Sequence, residues 1–171
     1  MKIKVLPLGF LQANCYILEI DNEIIIIDPA DDYEKIMQYI GDKKLLKILV
    51  THYHADHIGA LKYFDDSLIL KNLEEKEYKI GKFSFEVIFT KGHTSDSVTY
   101  YFQNEKCMFT GDFLFKNSIG RTDLYTGNDL EMKKSLNKII KYSDDIIVYP
   151  GHGDVTSLKY EKENNCFLRR L

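Results

Sequence analysis

The amino-acid sequence predicts an α/β fold in which two sheets pack together and helices cover the outer faces. Two observations predict it. Strand and helix patterns occur in the order β, β, α, β and then in the same order again, so each half of the chain supplies a sheet and a helix. Residues 24–27 are four consecutive isoleucines. Because neighbouring side chains of a strand point to opposite faces, this strand is expected to be buried on both.

The first half begins with strands and continues with a helix. Apolar residues at Tyr33, Ile36, Met37 and Ile40 have helical spacing. They predict a helix over residues 31–40, which Asp31 or Asp32 caps and which Gly41 ends. The other predicted elements of this half are strands over residues 3–6, 15–20, 24–27 and 47–50 and a short helix over residues 58–64.

The second half repeats this order. Met132, Leu136, Ile139 and Ile140 predict a helix over residues 129–142. Strands are predicted over residues 68–70, 83–89, 98–102, 107–109 and 146–149, and a closing helix over residues 160–171. The sequence contains no linker, no low-complexity segment and no repeat of fixed period, so residues 1–171 are predicted to form a single domain.

Composition excludes several classes of function. The chain has 171 residues and a net charge of -3, which gives no field that would attract nucleic acid or an anionic membrane. It has no run approaching the roughly 18 apolar residues of a membrane span. Residues 1–15 are too interrupted for a signal sequence, so a strand and turn is preferred to a lipoprotein anchor at Cys15. The three cysteines are far apart and form no C-x-x-C pair, which favours a reducing compartment, the cytoplasm.

An H-x-H-x-D-H cluster follows the predicted strand at residues 47–50. It contains His52, His54, Asp56 and His57. In extended backbone His52 and His54 project to the same side, so both imidazoles can bind one metal ion. Asp56 and His57, where the chain turns into a helix, would then face a neighbouring position.

The remaining candidate ligands also follow predicted strands. His93 and His152 complete the five histidines of the chain, and each stands after a glycine at the end of an apolar run. Asp112 follows Gly111 in the same arrangement. Binding and catalytic residues often lie in loops at one end of a set of strands, because the strands hold these loops rigidly. A glycine before each of these ligands predicts backbone that turns sharply or passes close to the metals.

These side chains are too numerous for one tetrahedral ion but suit two. We assign three to the first metal, three to the second and Asp112 to a bridge between them. Imidazole and carboxylate without thiolate suit Zn, with Fe and Mn as alternatives. The arrangement leaves room to coordinate water, as a catalytic site requires. The first metal is assigned His52, His54 and His93, and the second Asp56, His57 and His152.

In this order the residues closely resemble the metallo-β-lactamase superfamily, and the resemblance extends from Leu8 to Leu168. It implies the αββα four-layer sandwich, with two mixed sheets and helices on the outer faces. Within the superfamily the sequence is most similar to short glyoxalase II-like hydrolases. Small departures occur at Lys91, Ala30 and Cys166, none of them a candidate ligand, and the helical domain of full glyoxalase II is missing. The stretches that carry the resemblance are 26–29, 91–97, 111–115, 118–123, 149–153 and 161–168.

The resemblance implies hydrolysis of a small thioester such as a hydroxyacylglutathione. A hydroxide bridging the two metals would attack the thioester carbonyl, and Asp56, the expected catalytic residue, would orient that hydroxide. Arg121 matches a basic residue that contacts the glutathione portion of the substrate in the family. Asp28 is expected to orient a ligand imidazole. The expected partner is a small molecule, and the oligomeric state stays open.

Other activities of similar proteins remain as alternatives. A persulfide dioxygenase would bind one iron through His52, His93 and Asp112 and would consume oxygen. A lactonase or β-lactamase would act on cyclic esters or amides, although the short loop between the first two strands offers little cover over such a ring. Nucleic-acid processing is disfavoured by the acidic charge, and His54 disfavours an electron-transfer diiron module.

Overall fold

A computed structural model describes residues 1–171. The first sheet has the order β1-β2-β3-β4, in which only the β3–β4 pair is parallel, and the helix α1 connects these two strands. All four isoleucines of β3 are fully buried, which confirms the sequence prediction. Ile25 and Ile27 face the second sheet, and Ile24 and Ile26 pack under α1. The elements are β1 (Lys2–Leu8), β2 (Ala13–Ile20), β3 (Glu23–Ile27), α1 (Tyr33–Ile40) and β4 (Lys44–Leu49).

The second sheet has six strands in the order β12-β11-β8-β7-β6-β5. The β8–β11 pair is parallel and the other pairs are antiparallel, so this sheet is mixed as well. A separate two-stranded sheet, β9 with β10, follows β8. The strands are β5 (Glu77–Ile80), β6 (Phe83–Phe89), β7 (Val98–Phe102), β8 (Cys107–Gly111), β9 (Leu114–Phe115), β10 (Ser118–Ile119), β11 (Ile147–Pro150) and β12 (Thr156–Ser157).

Three apolar layers hold the molecule together. The central one lies between the sheets and is rich in aromatic residues such as Tyr16, Phe85 and Phe109. The other two lie between each sheet and its helices. The helix α3 (Asp129–Ile139) and the helix α4 (Leu158–Asn164) cover the second sheet, where Met132 and Leu158 pack against β8 and β11. The expected four-layer α/β sandwich is therefore confirmed.

Strand direction places the candidate ligands at one rim of the sandwich. Because β6 and β8 are each antiparallel to β7, and β11 is parallel to β8, these three strands run in the same direction. Their carboxyl ends lead to His93, Asp112 and His152. The end of β4 leads to His52, and the four-residue helix α2 (Ala55–Ile58) carries Asp56 and His57.

The structure corrects four local predictions. Residues 68–70 form only an isolated bridge, Ile69 with Ile48 of β4, because Leu68 still belongs to a 3-10 turn at Asp66–Leu68, where the Asp65 side chain accepts a hydrogen bond from the Ser67 backbone. The short helix is divided into α2 and a 3-10 turn at Leu61–Tyr63. The closing helix ends at Asn164, because the side chain of Asn165 bonds to Ser118 and Glu161 instead of continuing it. Asp32 occupies the N-cap of α1, but its side chain does not cap the helix.

Candidate metal centre

The structure brings six of the seven candidate ligands together in two adjoining groups. The potential ligand atoms of His52, His54 and His93 lie within 4.8 Å of one another, and so do those of Asp56, His57 and His152. These are the two sets that the sequence analysis assigned to the first and second metal.

Asp112 lies between the two groups. Its Oδ2 is 3.6 Å from Nε2 of His93 in the first group and 3.7 Å from Nε2 of His152 in the second. Its Oδ1 is 3.2 Å from Nε2 of His57, yet this buried oxygen makes no hydrogen bond of good geometry. The carboxylate therefore faces both groups, as the bridging position requires.

Asp28 determines how two of the imidazoles are oriented. Its Oδ2 accepts hydrogen bonds from Nδ1 of His57 at 2.9 Å and from Oγ1 of Thr51 at 2.6 Å. Because the Thr51 hydroxyl donates to Asp28, it can only accept from Nδ1 of His52, 3.1 Å away. Both histidines thus carry a hydrogen on Nδ1 and direct Nε2 into the cluster.

Backbone carbonyls orient two further imidazoles in the same way. Nδ1 of His93 donates to the Arg121 carbonyl at 2.7 Å, and Nδ1 of His152 donates to the Leu11 carbonyl at 3.1 Å. A ligating histidine commonly donates its outer N–H to an oxygen, which fixes the tautomer and the ring orientation. His54 differs, because its Nδ1 is the inward nitrogen, 2.9 Å from Nε2 of His93.

The electrostatics of the cluster follow from this crowding. Burial, aided by the neighbouring His57, lowers the pKa of His52 to about 2, so this imidazole is neutral. Burial also lowers the pKa of His57, but its contacts with Asp112 and Asp28 outweigh burial and raise the pKa to about 10. Burial raises the pKa of Asp112, yet His57 and the other imidazoles bring it down to about 2. Asp112 is therefore ionised.

The donor set fits divalent cations. Nε2 of His57 and Nε2 of His152 are 3.3 Å apart, and both face into the cluster. The buried Nε2 of His52 has no hydrogen-bond partner. Inward ring nitrogens and an ionised carboxylate that converge in this way are costly unless protons or cations lie between them, and the raised pKa of His57 reflects a proton in that position. Five imidazoles and two carboxylates without thiolate suit Zn, Fe or Mn.

Two glycines permit the close approach that the sequence analysis predicted. A Cβ on Gly151 would lie 2.2 Å from Oδ1 of Asp112, and a Cβ on Gly111 would lie 2.2 Å from Oγ1 of Thr51. Gly111 also has a φ of +50°, a conformation that favours glycine. The backbone therefore passes directly against the cluster at both positions.

Asp28 has an unusual backbone for a residue with a side chain, because its φ is +51°. It is buried, and both of its carboxylate oxygens already accept hydrogen bonds. The potential ligand atoms of Asp28, His52 and His57 also lie within 4.8 Å of one another. The oxygens of Asp28 bond to Thr51 and to the outer nitrogen of His57, so Asp28 orients these candidate ligands, and the strained conformation serves that contact.

Arg121 reaches the centre through its backbone. Its exposed side chain makes a bidentate ion pair with Asp123, with both N···O distances at 2.7 Å. It lines a cavity of about 510 Å³ between the residue 119–122 segment, α3 and the C-terminal residues. Two further cations, Lys133 and Arg170, line this cavity above an apolar floor that includes Met132 and Leu136.

Sequence reasoning missed the residues that support the ligands. Thr51 precedes the histidine motif and offered a weak signal. The carbonyls of Leu11 and Arg121 offered none, because every residue has a carbonyl and only the fold determines which one faces an imidazole. The buried side chain of Asn14 was also overlooked.

The fold and the cluster together define a class, the metal-dependent hydrolases built on an α/β sandwich. Comparison with known proteins makes the assignment specific. A family model for the metallo-beta-lactamase superfamily matches residues 8–80 and 65–152. The chain belongs to the metallo-beta-lactamase superfamily.

Two curated relatives match nearly the whole chain. The chain is 35% identical to the probable metallo-hydrolase YqgX of Bacillus subtilis, and the match covers 98% of both chains. It is 30% identical to the hydroxyacylglutathione hydrolase GloC of Haemophilus influenzae, again over 98% of both.

Solved structures agree with the fold. The B3 metallo-beta-lactamase BLEG-1 is 34% identical with a TM-score of 0.90, and the match covers 98% of this chain and 99% of that one. TTHA1623 in a di-iron-bound form is 28% identical with a TM-score of 0.88 over 96% and 100% of the two chains. ETHE1 from Myxococcus xanthus is 29% identical with a TM-score of 0.86 over 97% and 84%. None of the helices has the length and apolar character needed to cross a membrane.

Proposed function

We propose that this protein is a dinuclear metal-dependent hydrolase of small thioesters, of which hydroxyacylglutathiones are the first candidates. The observation that carries the proposal is the position of Asp112, whose Oδ2 lies 3.6 Å from His93 in one group of ligands and 3.7 Å from His152 in the other. One carboxylate shared by two complete groups is suited to two cations held side by side. Zn is the first expectation, with Fe and Mn as alternatives.

The residues of the chain supply what hydrolysis needs around the cations. Divalent cations held by these residues would lower the pKa of a water to about 7 and would polarise the substrate carbonyl. Oδ2 of Asp56 faces Nε2 of His152 at 3.2 Å, which leaves its other oxygen to accept a hydrogen bond from the attacking water and orient it. A thiolate leaves without a proton donor, because thiols have an ordinary pKa of about 8.5.

The cavity beside Arg121 supports a substrate with carboxylates. Arg121, Lys133 and Arg170 line it, and neither Lys133 nor Arg170 forms an ion pair in the structure. The glutathione portion of a thioester carries two carboxylates on a flexible chain, which free cations above an apolar floor are suited to hold. Since the Arg121 carbonyl holds His93, the cavity adjoins the first group of ligands.

The relatives support the same substrate class. GloC of Haemophilus influenzae is called a hydroxyacylglutathione hydrolase, and the match covers 98% of its length. The region that this chain shares with GloC therefore spans nearly the whole of a protein with that name, which supports a glutathione thioester as substrate. Cys15, Cys107 and Cys166 are all free, which supports a reducing compartment, the cytoplasm.

A one-iron persulfide dioxygenase is the second candidate. The observation that favours it is the proximity of His52, His93 and Asp112, which alone could hold one iron. The second group argues against it, because His57 and His152 direct Nε2 inward, beside Asp56, although a one-iron site would not use them. A β-lactamase or lactonase activity, favoured by the similarity to BLEG-1, would use the same two groups.

One set of assays separates these activities. The protein, loaded in turn with Zn²⁺, Mn²⁺ and Fe²⁺, is given S-lactoylglutathione, glutathione persulfide, a lactone and a β-lactam. Thiol release, oxygen uptake and ring opening are then measured. We expect thiol release with two metals per chain. Oxygen uptake with one iron, or ring opening without thiol release, would defeat the thioesterase assignment.

Variants test the proposed roles in the same assay. Asp56→Ala and His54→Ala are expected to abolish turnover while circular dichroism shows a folded protein. Arg121→Ala is expected to raise KM for S-lactoylglutathione with little change in kcat, because its side chain would contact only the glutathione portion. The matched control is Lys141→Ala, an exposed cation beyond α3 that does not line the cavity.

A further inference from the structure

The side chain of His152 is less buried than those of His57 and His93. Its side chain is 28% exposed, whereas those of His57 and His93 are 0% and 4% exposed. It lies in the turn after β11, next to Gly153, whose φ is +73°. Its orienting partner, the Leu11 carbonyl, belongs to the loop between β1 and β2 in the other sheet. The position of His152 thus depends on contacts between the two sheets.

Asn14 makes most of those contacts. It is a buried residue of β2, and its side-chain amide donates one hydrogen to the Pro150 carbonyl and the other to the Gly153 carbonyl, both at 3.0 Å. Its backbone N–H donates to the Gly151 carbonyl at 2.7 Å. The Tyr16 hydroxyl adds a bond of 2.5 Å to Pro150. The bonds of Asn14 therefore hold the turn on both sides of His152.

The chemistry of this contact is specific to an amide. The two carbonyls need two donors at a fixed separation, and the terminal NH₂ of asparagine supplies both. Aspartate at this position would present acceptors to acceptors. Leucine would fill a similar volume but would leave two carbonyls without a partner in a buried place.

We infer that Asn14 is a positioning residue for the second cation site, an inference that rests on the dinuclear centre proposed above. By fixing the Pro150–Gly153 turn, it keeps Nε2 of His152 3.2 Å from Asp56 and 3.3 Å from His57. The bonds of His52, His54 and His93 go to Thr51, to the Arg121 carbonyl and to one another, and none goes to this turn. Loss of the Asn14 amide therefore weakens the second site and leaves the first site intact.

Metal titration of Asn14→Ala tests this directly. The metal-free protein, prepared with a chelator, is titrated with Zn²⁺ against a competing fluorescent chelator, and bound metal is counted by elemental analysis. Wild type is expected to bind two ions per chain. Asn14→Ala is expected to keep the first affinity and to lose about 10- to 100-fold in the second, the range found when partners that orient a ligand are removed.

Asn165→Ala is the matched control. Asn165 is also buried, and its amide also donates two hydrogens, to the Ser118 carbonyl at 3.0 Å and to Glu161 at 2.8 Å, but away from His152. Urea unfolding of both metal-free variants measures the general cost of removing a buried amide. If Asn14→Ala does not fold, Tyr16→Phe decides, because it removes a single bond to Pro150 and should weaken the second site to a smaller degree.

The outcomes separate the two proposals. A wild-type protein that binds one ion contradicts the dinuclear centre itself. Suppose instead that wild type binds two ions. The role inferred for Asn14 is then wrong if Asn14→Ala, or Tyr16→Phe in its place, binds both ions with unchanged affinity. It is also wrong if the variant loses affinity for both ions equally. The same selective loss in Asn165→Ala would show a general effect of destabilisation and would also overturn it.

Discussion

Replacement of Asp28 by asparagine gives a sharp test of how the ligands are oriented. The carboxylate accepts three hydrogen bonds, at 2.7 and 2.6 Å from Thr51 and at 2.9 Å from His57. An amide has one oxygen and one NH₂ group, so it cannot satisfy three donors. If its NH₂ faces His57, Nδ1 of that imidazole must accept, and the hydrogen moves to Nε2, where it prevents metal binding.

The magnitude follows from these contacts. Each hydrogen bond to a charged group contributes about 1.5 to 3 kcal/mol, so the metal-free Asp28→Asn protein is expected to lose about that amount of unfolding free energy. The second metal site, which uses His57, is expected to weaken about 10- to 100-fold. In a serine protease triad, the analogous replacement reverses the histidine tautomer and reduces kcat about 10⁴-fold. We therefore expect kcat for thioester hydrolysis to fall by at least about 100-fold.

The assay combines chelator competition with steady-state thiol release. Asp96→Asn is the control, because Asp96 also accepts a backbone hydrogen bond near the centre, from Tyr53 at 3.1 Å, but contacts no imidazole. An Asp28→Asn enzyme that binds two ions with wild-type affinity and keeps its kcat would refute the tautomer argument.

Three further changes have defined outcomes. Gly151→Ala places a Cβ 2.2 Å from Oδ1 of Asp112. Thioester turnover should therefore fall by about 100-fold, while the circular dichroism spectrum stays unchanged. A wild-type kcat would contradict this, because it would show that the turn can relax. Ile26→Ala removes a side chain that is 0% exposed. The free energy of unfolding, measured in urea, should fall by about 2 to 5 kcal/mol, and the variant should still bind two metals. A loss below about 1 kcal/mol would contradict the buried packing. The metal-free protein should be most stable near pH 6.5, measured as Tm across pH. His52, whose pKa is lowered to about 2, binds protons only when unfolded, so stability falls below pH 6.5. His57, whose pKa is raised to about 10, contributes stability that is lost as pH rises from 6.5 to 10. A Tm that rises steadily from pH 7 to 10 would contradict this.

The two-sheet fold was predictable because its strands have strong patterns. The four isoleucines of β3 are removed from water only if both faces of the strand are buried, and the structure buries both faces. The edge strand β5, Glu77–Ile80, was not predicted, since its charged residues are typical of a surface segment and only pairing with β6 makes it a strand. Residues 68–70 were predicted as a strand from apolar character alone, but a local side-chain bond from Asp65 starts a 3-10 turn that ends at Leu68, and only Ile69 pairs with β4.

The candidate site was predictable as far as ligand chemistry appears in residue types. Histidines at strand ends are rare enough to be noticed, and all five converge in the structure. The supporting contacts were not predictable. The Leu11 carbonyl and the Asn14 amide act across the gap between two sheets, from positions more than 130 residues away from their partners in sequence. Only the three-dimensional packing of the sheets brings them together.

The central claim is that two cations share Asp112. Anomalous diffraction from crystals of the zinc-loaded protein, recorded on both sides of the zinc absorption edge, tests it most directly. We predict two anomalous peaks, one among the imidazoles of His52, His54 and His93 and one among Asp56, His57 and His152, with Asp112 in contact with both. A single peak, or a peak coordinated by Asp28, would contradict the account.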